Sequence, residues 1–234
     1  MTEKKKTKLA TTTSTIAVIA FLISAPLIVG IAWALGLTGT NGNDILQGSN
    51  TVDIINGLAG SDRIYGYYGN DALHGHSNSG QLYSADGDDL IEGGYGDDGI
   101  TGGRGNDRLY GEAGKDGIYG NDGADKIYAG PGDDNTGSDG GNGNDYLYGS
   151  TGSDFLIGGF GVDRLYGQDG NDRLRGDSTG SGDRSGDSLS GGPGNDVMTG
   201  GRGNDGFNCG AGKDQITDFR PSEGDLKTSD CEIF

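Results

Sequence analysis

The stretch 93–128, GGYGDDGITGGRGNDRLYGEAGKDGIYGNDGADKIY, repeats one nine-residue unit four times without a gap. Each copy reads Gly-x-x-Gly-x-Asp-x-U-x, where U is a large apolar residue. The sixth-place aspartates are Asp98, Asp107, Asp116 and Asp125, and the eighth-place residues are Ile100, Leu109, Ile118 and Ile127. A period this short leaves few folds open. No unit can bury a face by itself, so stability has to come from stacking unit on unit.

The first six residues of the unit are turn chemistry. Glycine permits positive φ and close backbone approach, and Asn or Asp between the glycines makes local turns. The last three, such as Arg108-Leu109-Tyr110, alternate polar, apolar, polar, the period of a short strand with one inward side chain. Two units then make one coil, with strands on opposite faces and turns on opposite edges. One buried Leu or Ile per nine ordered residues does not offset the chain entropy. Stacked turns also place carboxylate above carboxylate, which repel unless a cation lies between them. A hard divalent ion with all-oxygen ligands fits, and Ca²⁺ fits better than Mg²⁺ because it accepts flexible geometry and many carbonyls.

The repeat runs from Gly39 to Thr217 in 19 units, with extra residues at 138–139 and 176–181. The sixth place holds Asp44, Asp53, Asp62, Asp71, Asp89, Asp98, Asp107, Asp116, Asp125, Asp134, Asp145, Asp154, Asp163, Asp172, Asp187, Asp196, Asp205 and Asp214, with Gly80 as the exception. The eighth place is apolar everywhere except Thr136. Ten turns on one edge and nine on the other leave at most seventeen gaps between neighbouring turns, fewer with Gly80. Thr51, Asn78 and Ser185 replace the fourth-place glycine and are expected to weaken their turns. The two insertions are expected to leave the turns as surface loops, a domain boundary at 176–181 being the alternative.

This pattern resembles the Gly-Gly-x-Gly-x-Asp-x-U-x nonapeptide of RTX, or haemolysin-type, calcium-binding proteins. The resemblance implies an all-β parallel β-roll, a β-solenoid, with several Ca²⁺ ions between successive turns, held by the sixth-place aspartates and turn carbonyls. Asp214-Gln215-Ile216-Thr217-Asp218-Phe219 resembles the D-x-I-x-D-F segment that closes such blocks.

Three parts are expected: an export segment over 1–37, the roll over 39–217 and a C-terminal cap over 218–234. Lys4, Lys5, Lys6 and Lys8 precede the uncharged stretch 16–37. That is membrane chemistry, either a signal peptide cut after Ala34 or a retained signal-anchor helix, with a buried core helix as the bland alternative. Both membrane readings put the repeats outside the cell. Trp33 is either an interfacial anchor or filler. Cys209 and Cys231 are the only cysteines, and outside the cell they are expected to form a disulfide joining tail to last coil.

No catalytic constellation stands apart from the repeat, and the glycines are not a dinucleotide fingerprint because no helix follows them. His74 and His76 are the only histidines and form no HExxH motif. They read as exposed loop residues, or as a transition-metal pair. Ninth-place tyrosines, among them Tyr110, Tyr128, Tyr148 and Tyr166, and seventh-place arginines such as Arg164 face outward. They serve either cross-strand stabilisation or a stripe that binds a glycan or cell-surface partner. At a net charge of −18 no nucleic-acid partner is expected, and membrane contact is expected only through 16–37. The reading is a non-enzymatic, Ca²⁺-binding, secreted or cell-surface protein of structural, adhesive or partner-binding role. The alternatives are an accessory module of a secreted enzyme or a toxin-like protein. Many relatives leave by a C-terminal address, whereas this chain carries an N-terminal export segment.

Overall fold

The computed structural model describes residues 27–29, 36–134, 138–178 and 182–233. They form a parallel β-solenoid of about ten turns, with no helix among the described residues. Odd and even units separate into two parallel sheets of twelve and eleven strands, each strand pairing with those two places away in sequence order. Leu109 sits in register with Ile91 and Ile127, and Ile118 with Ile100. Between the sheets the eighth-place residues, from Leu46 to Ile216, make one buried column. Leu37 and Phe219 pack against it half-buried.

Most strands extend past the expected three residues. Arg108–Ala113, for example, continues through the ninth place into the first residues of the next unit. The second place therefore takes part in the sheet, and there the chain turns. Leu58, Tyr67, Glu112, Asn121 and Gln168, all second-place residues, have φ between 70° and 77°. Asn78 holds φ 71° at the fourth place, as an asparagine tolerates in place of glycine.

Both insertions sit differently from the sequence placement. Ser138 pairs with Leu156, and Asp139 with both Ile157 and Tyr119. The two extra residues thus precede the strand, and Ser138 rather than Thr136 takes the register position opposite Leu156. Thr136 lies outside the described residues. At the second insertion, a Cβ on Gly176 would meet the Asp187 carboxylate and the Gly200 carbonyl, the surroundings of a first-place glycine. The six extra residues are therefore inside the turn 176–187, not before it.

The expected membrane helix over 16–37 falls mostly outside the described residues. Its described parts, Leu27–Val29 and Gly36–Thr38, are strands paired with Ile45–Gln47 and Ile54–Asn56. Among the described residues no helix is long and apolar enough to cross a membrane. At the other end the tail pairs with the last coil. Leu226–Lys227 and Glu232–Ile233 extend one sheet each, and the Cys209–Cys231 disulfide joins them to the roll. With a sequence separation of 22, Cys231→Ser is expected to lower stability by about 3 kcal/mol. Urea unfolding in saturating Ca²⁺ measures this, and an unchanged midpoint would show that the strands alone hold the tail.

Candidate metal centre

The sixth-place aspartates form two columns, one along each edge. In each, a backbone N–H donates to the Oδ1 of the aspartate one coil later. Asp89 donates to Asp107, Asp107 to Asp125 and Asp125 to Asp145, each at 2.8 Å. On the other edge Asp98 donates to Asp116 and Asp116 to Asp134, again at 2.8 Å. The turns place these donors because the strand that follows each aspartate is locked in register with the next coil. All eighteen aspartates are at most 4 % exposed.

Oδ1 is spent on this ladder, and Oδ2 is not. Asp62, Asp89, Asp98, Asp107, Asp125, Asp134, Asp145, Asp154, Asp163, Asp172, Asp187, Asp196, Asp205 and Asp214 each bury an Oδ2 that has no hydrogen-bond partner, and Asp44 does so with Oδ1. Buried polar atoms are almost always paired, so a column of unpaired ones needs a ligand. Asp53 differs because the Ser49 backbone N–H and hydroxyl donate to its Oδ2 at 2.6 and 3.0 Å. At Asp71 the Ser84 hydroxyl does so at 3.5 Å.

The first-place glycine supplies the other wall. A methyl group on Gly93 would lie 2.8 Å from Asp98 Oδ2 and 2.8 Å from the Gly111 carbonyl oxygen. What a side chain would meet at such a first-place glycine is crowding, not a positive φ, although Ser84, Ala129 and Cys209 hold the same place in their units. The glycine opens a cradle bounded by a carboxylate oxygen and by a carbonyl of the next coil. Hard, oxygen-rich, anionic and unsatisfied, these cradles fit Ca²⁺. Among the described residues no three His, Cys, Asp or Glu side chains converge on one point, so backbone carbonyls have to complete any ligand set.

Gly80 interrupts one column. Its N–H still donates to Asp98 Oδ1, but no carboxylate stands there for Asp62. An open cleft at this point is lined by Asp62, Gly80, Asp98, Arg63 and Lys115.

Sequence reasoning missed a second, outer ladder at the fifth place. The Ala124 N–H donates to Asn106 Oδ1, Lys115 to Asp97, Asn195 to Asn171 and Lys213 to Asn195, each at 2.8–2.9 Å. The recurring Asn or Asp before the sixth place was its signal. Also missed were Asp225, whose Oδ1 accepts the Asp205 N–H at 3.1 Å and so extends one column into the tail, and the buried Asp177. His74 and His76 lie on the strand Ala72–Ser77, not in a loop, and His74 Nδ1 meets Glu92 Oε2 at 2.8 Å. Tyr110, Tyr128, Tyr148 and Tyr166 stack continuously at 4.8, 4.8 and 5.0 Å, because their strands pair them in register coil after coil.

This geometry defines a class: a parallel β-roll of nonapeptides with acidic turn columns able to hold cations. The chain matches the RTX calcium-binding nonapeptide repeat over residues 38–71, 47–82, 83–118, 101–135, 139–178 and 181–216. It belongs to that family, whose repeats bind Ca²⁺. No curated protein matches the chain.

Without cations the columns favour protons. Burial, with neighbouring carboxylates adding to it, pushes Asp107, Asp116, Asp134, Asp163 and Asp172 up to about 7. It pushes Asp145 and Asp187 up to about 8, against an ordinary value of 3.8. Hydrogen bonds from the backbone ladder oppose the shift only in part. A folded-state value above the unfolded one means that protonation stabilises the roll. The gain is complete below about 4 and is lost as pH rises through about 6–8. In chelator, circular dichroism should therefore show more β structure at about pH 5.5 than at about pH 8. Equal spectra would mean that the aspartates carry no such coupling.

Proposed function

We propose that this chain is an exported, non-enzymatic protein whose roll folds when Ca²⁺ binds, and that it acts outside the cell in a structural, adhesive or partner-binding role. The observation that carries the reading is the buried column of unpartnered aspartate oxygens beside first-place glycine carbonyls. Downstream of residue 37 stand 34 acidic residues (35 less Glu3) and 13 basic ones (17 less four lysines), a net charge of −21. Self-repulsion of that size opposes a compact state, and bound cations remove it.

In this proposal the eighteen sixth-place aspartates are the carboxylate ligands, and Asp225 lengthens one column. Each ion ties two turns together, so binding free energy becomes folding free energy and the sites fill cooperatively. Dissociation constants of extracellular type, about 10⁻⁴–10⁻³ M, would leave the chain unfolded where Ca²⁺ is scarce and fold it outside. Export is supported by the lysine-led uncharged stretch 16–37 and by the Cys209–Cys231 disulfide, which suits an oxidising compartment. The tyrosine ladder is a candidate partner surface. Its inner rings spend their faces on one another, so a glycan would meet hydroxyl edges there, and Arg164, 5.1 Å above the Tyr146 ring, beside them.

Circular dichroism should show coil in chelator at neutral pH and β structure appearing steeply as Ca²⁺ is added. An equally structured and equally heat-stable ion-free protein would refute the coupling. Asp107→Ala, which opens a gap between Asp89 and Asp125, should lower the number of ions bound at saturation as counted by calorimetry. An unchanged count would remove Asp107 from the ligands.

A further inference from the structure

The expanded turn 176–187 carries a buried carboxylate that the nonapeptide pattern does not contain. Asp177 occupies the second place of that turn and is 7 % exposed. Its Oδ1 is buried with no hydrogen-bond partner, while its Oδ2 accepts the Arg202 backbone N–H at 2.8 Å.

Comparison with the regular turns shows what this side chain replaces. At second-place glycines a Cβ would meet the carbonyl oxygen of the second-place residue one coil earlier: Ala85 at Gly103, Asn121 at Gly141, Gly192 at Gly210. At Gly201 it would meet the Asp177 carboxylate instead. In a regular turn the third-place N–H donates to that carbonyl, as Arg104 does to Ala85. At Arg202 it donates to the Asp177 side chain. The carboxylate therefore stands in for a backbone carbonyl and brings a full negative charge where a dipole normally suffices. A neutral Asn or Gln could accept the same hydrogen bond, so the bond alone does not explain the charge.

The surroundings are acidic as well. Asp177 interacts electrostatically with Asp163, Asp183, Asp187, Asp205 and Asp218, against which stands the opposing charge of Arg202. Asp183 has its own donors, the N–H groups of Gly161, Arg184 and Ser185. Asp218 accepts from Gly200 and Gly201, each at 2.9 Å. Asp187 and Asp205 belong to the edge column. The free oxygen of Asp177 belongs to none of these arrangements. Resting on the calcium reading of the roll, we propose that Asp177 is a ligand for a divalent cation of the Ca²⁺ class. It lies outside the nonapeptide ligand pattern.

Asp177→Asn keeps the acceptor for the Arg202 N–H and removes only the charge. In the full chain, equilibrium dialysis with radiolabelled Ca²⁺ should count one ion fewer than in the unchanged protein, with the same β signal at saturation. An unchanged count would make Asp177 a carbonyl substitute neutralised by Arg202, and would overturn the proposal. If the variant does not fold, anomalous diffraction from Ca²⁺-loaded crystals of the unchanged protein decides. A peak at Ca–O distance, about 2.4 Å, from Asp177 supports the assignment. Peaks along the edge columns but none at Asp177 overturn it alone, and no peaks anywhere overturn the calcium reading beneath it.

Discussion

Everything in this roll follows from placing one carboxylate directly over another, coil after coil. The stacking is enforced by the backbone, because sixth-place N–H groups, that of Asp62 opposite Gly80 excepted, donate to the carboxylate one coil on. Those bonds hold the negative charges together instead of separating them. Two demands result. The charges need compensation, by protons or by cations, and the space beside them has to stay clear of carbon. At most units a first-place glycine meets the second demand, since a Cβ on Gly93, for example, would crowd both Asp98 Oδ2 and the Gly111 carbonyl; Ser84, Ala129 and Cys209 are the places where a small side chain is accommodated.

The apolar column plays a narrower part. One inward residue per unit gives a core one side chain deep, with Leu37 and Phe219 packed half-buried against it. Such a column fixes register: a slip of one residue would turn Leu109 outward and bring Arg108 or Tyr110 in. Register in turn aligns the turns, and aligned turns create the cation cradles. The stacked tyrosines and the fifth-place ladder strengthen the same alignment from outside. Because contacts run mainly between neighbouring coils, the stability of the roll is close to a sum over adjacent pairs.

What was legible in the sequence is what depends on one unit alone. The inward position of Leu109 and the turn position of Asp107 are written inside nine residues. What was not legible depends on how coils align. The Asn106–Ala124 bond joins residues 18 apart, and only a known coil length brings them together. Asp225 lies 20 residues beyond Asp205, in a tail whose local pattern no longer repeats. The extra residues near 135–137 can be written on either side of the short strand. Only pairing with Tyr119 and Leu156 decides between them. Leu27–Val29 and most of Gly36–Thr38 belong to an uncharged stretch behind four lysines, and nothing local in them marks a strand that pairs with a later coil.

Gly80 shows how much of this architecture is redundant. It removes a carboxylate from one edge, dividing that column into Asp44–Asp62 and Asp98 onward. The other edge runs unbroken from Asp53 through Asp71, Asp89 and Asp107. The sheet also continues across the gap, with Arg63 paired to Gln81 and Gln81 to Gly99. A coil therefore has two independent ties to its neighbour at its edges and two more in its sheets. Losing one leaves three, so the coil stays in register while the cleft beside Arg63 and Lys115 opens at its rim. Compensation there is less needed as well, since a missing carboxylate removes both a ligand and the charge that called for one. A roll built this way can lose a site without losing its path, which is why unit 75–83 can depart so far from the repeat and still be a coil.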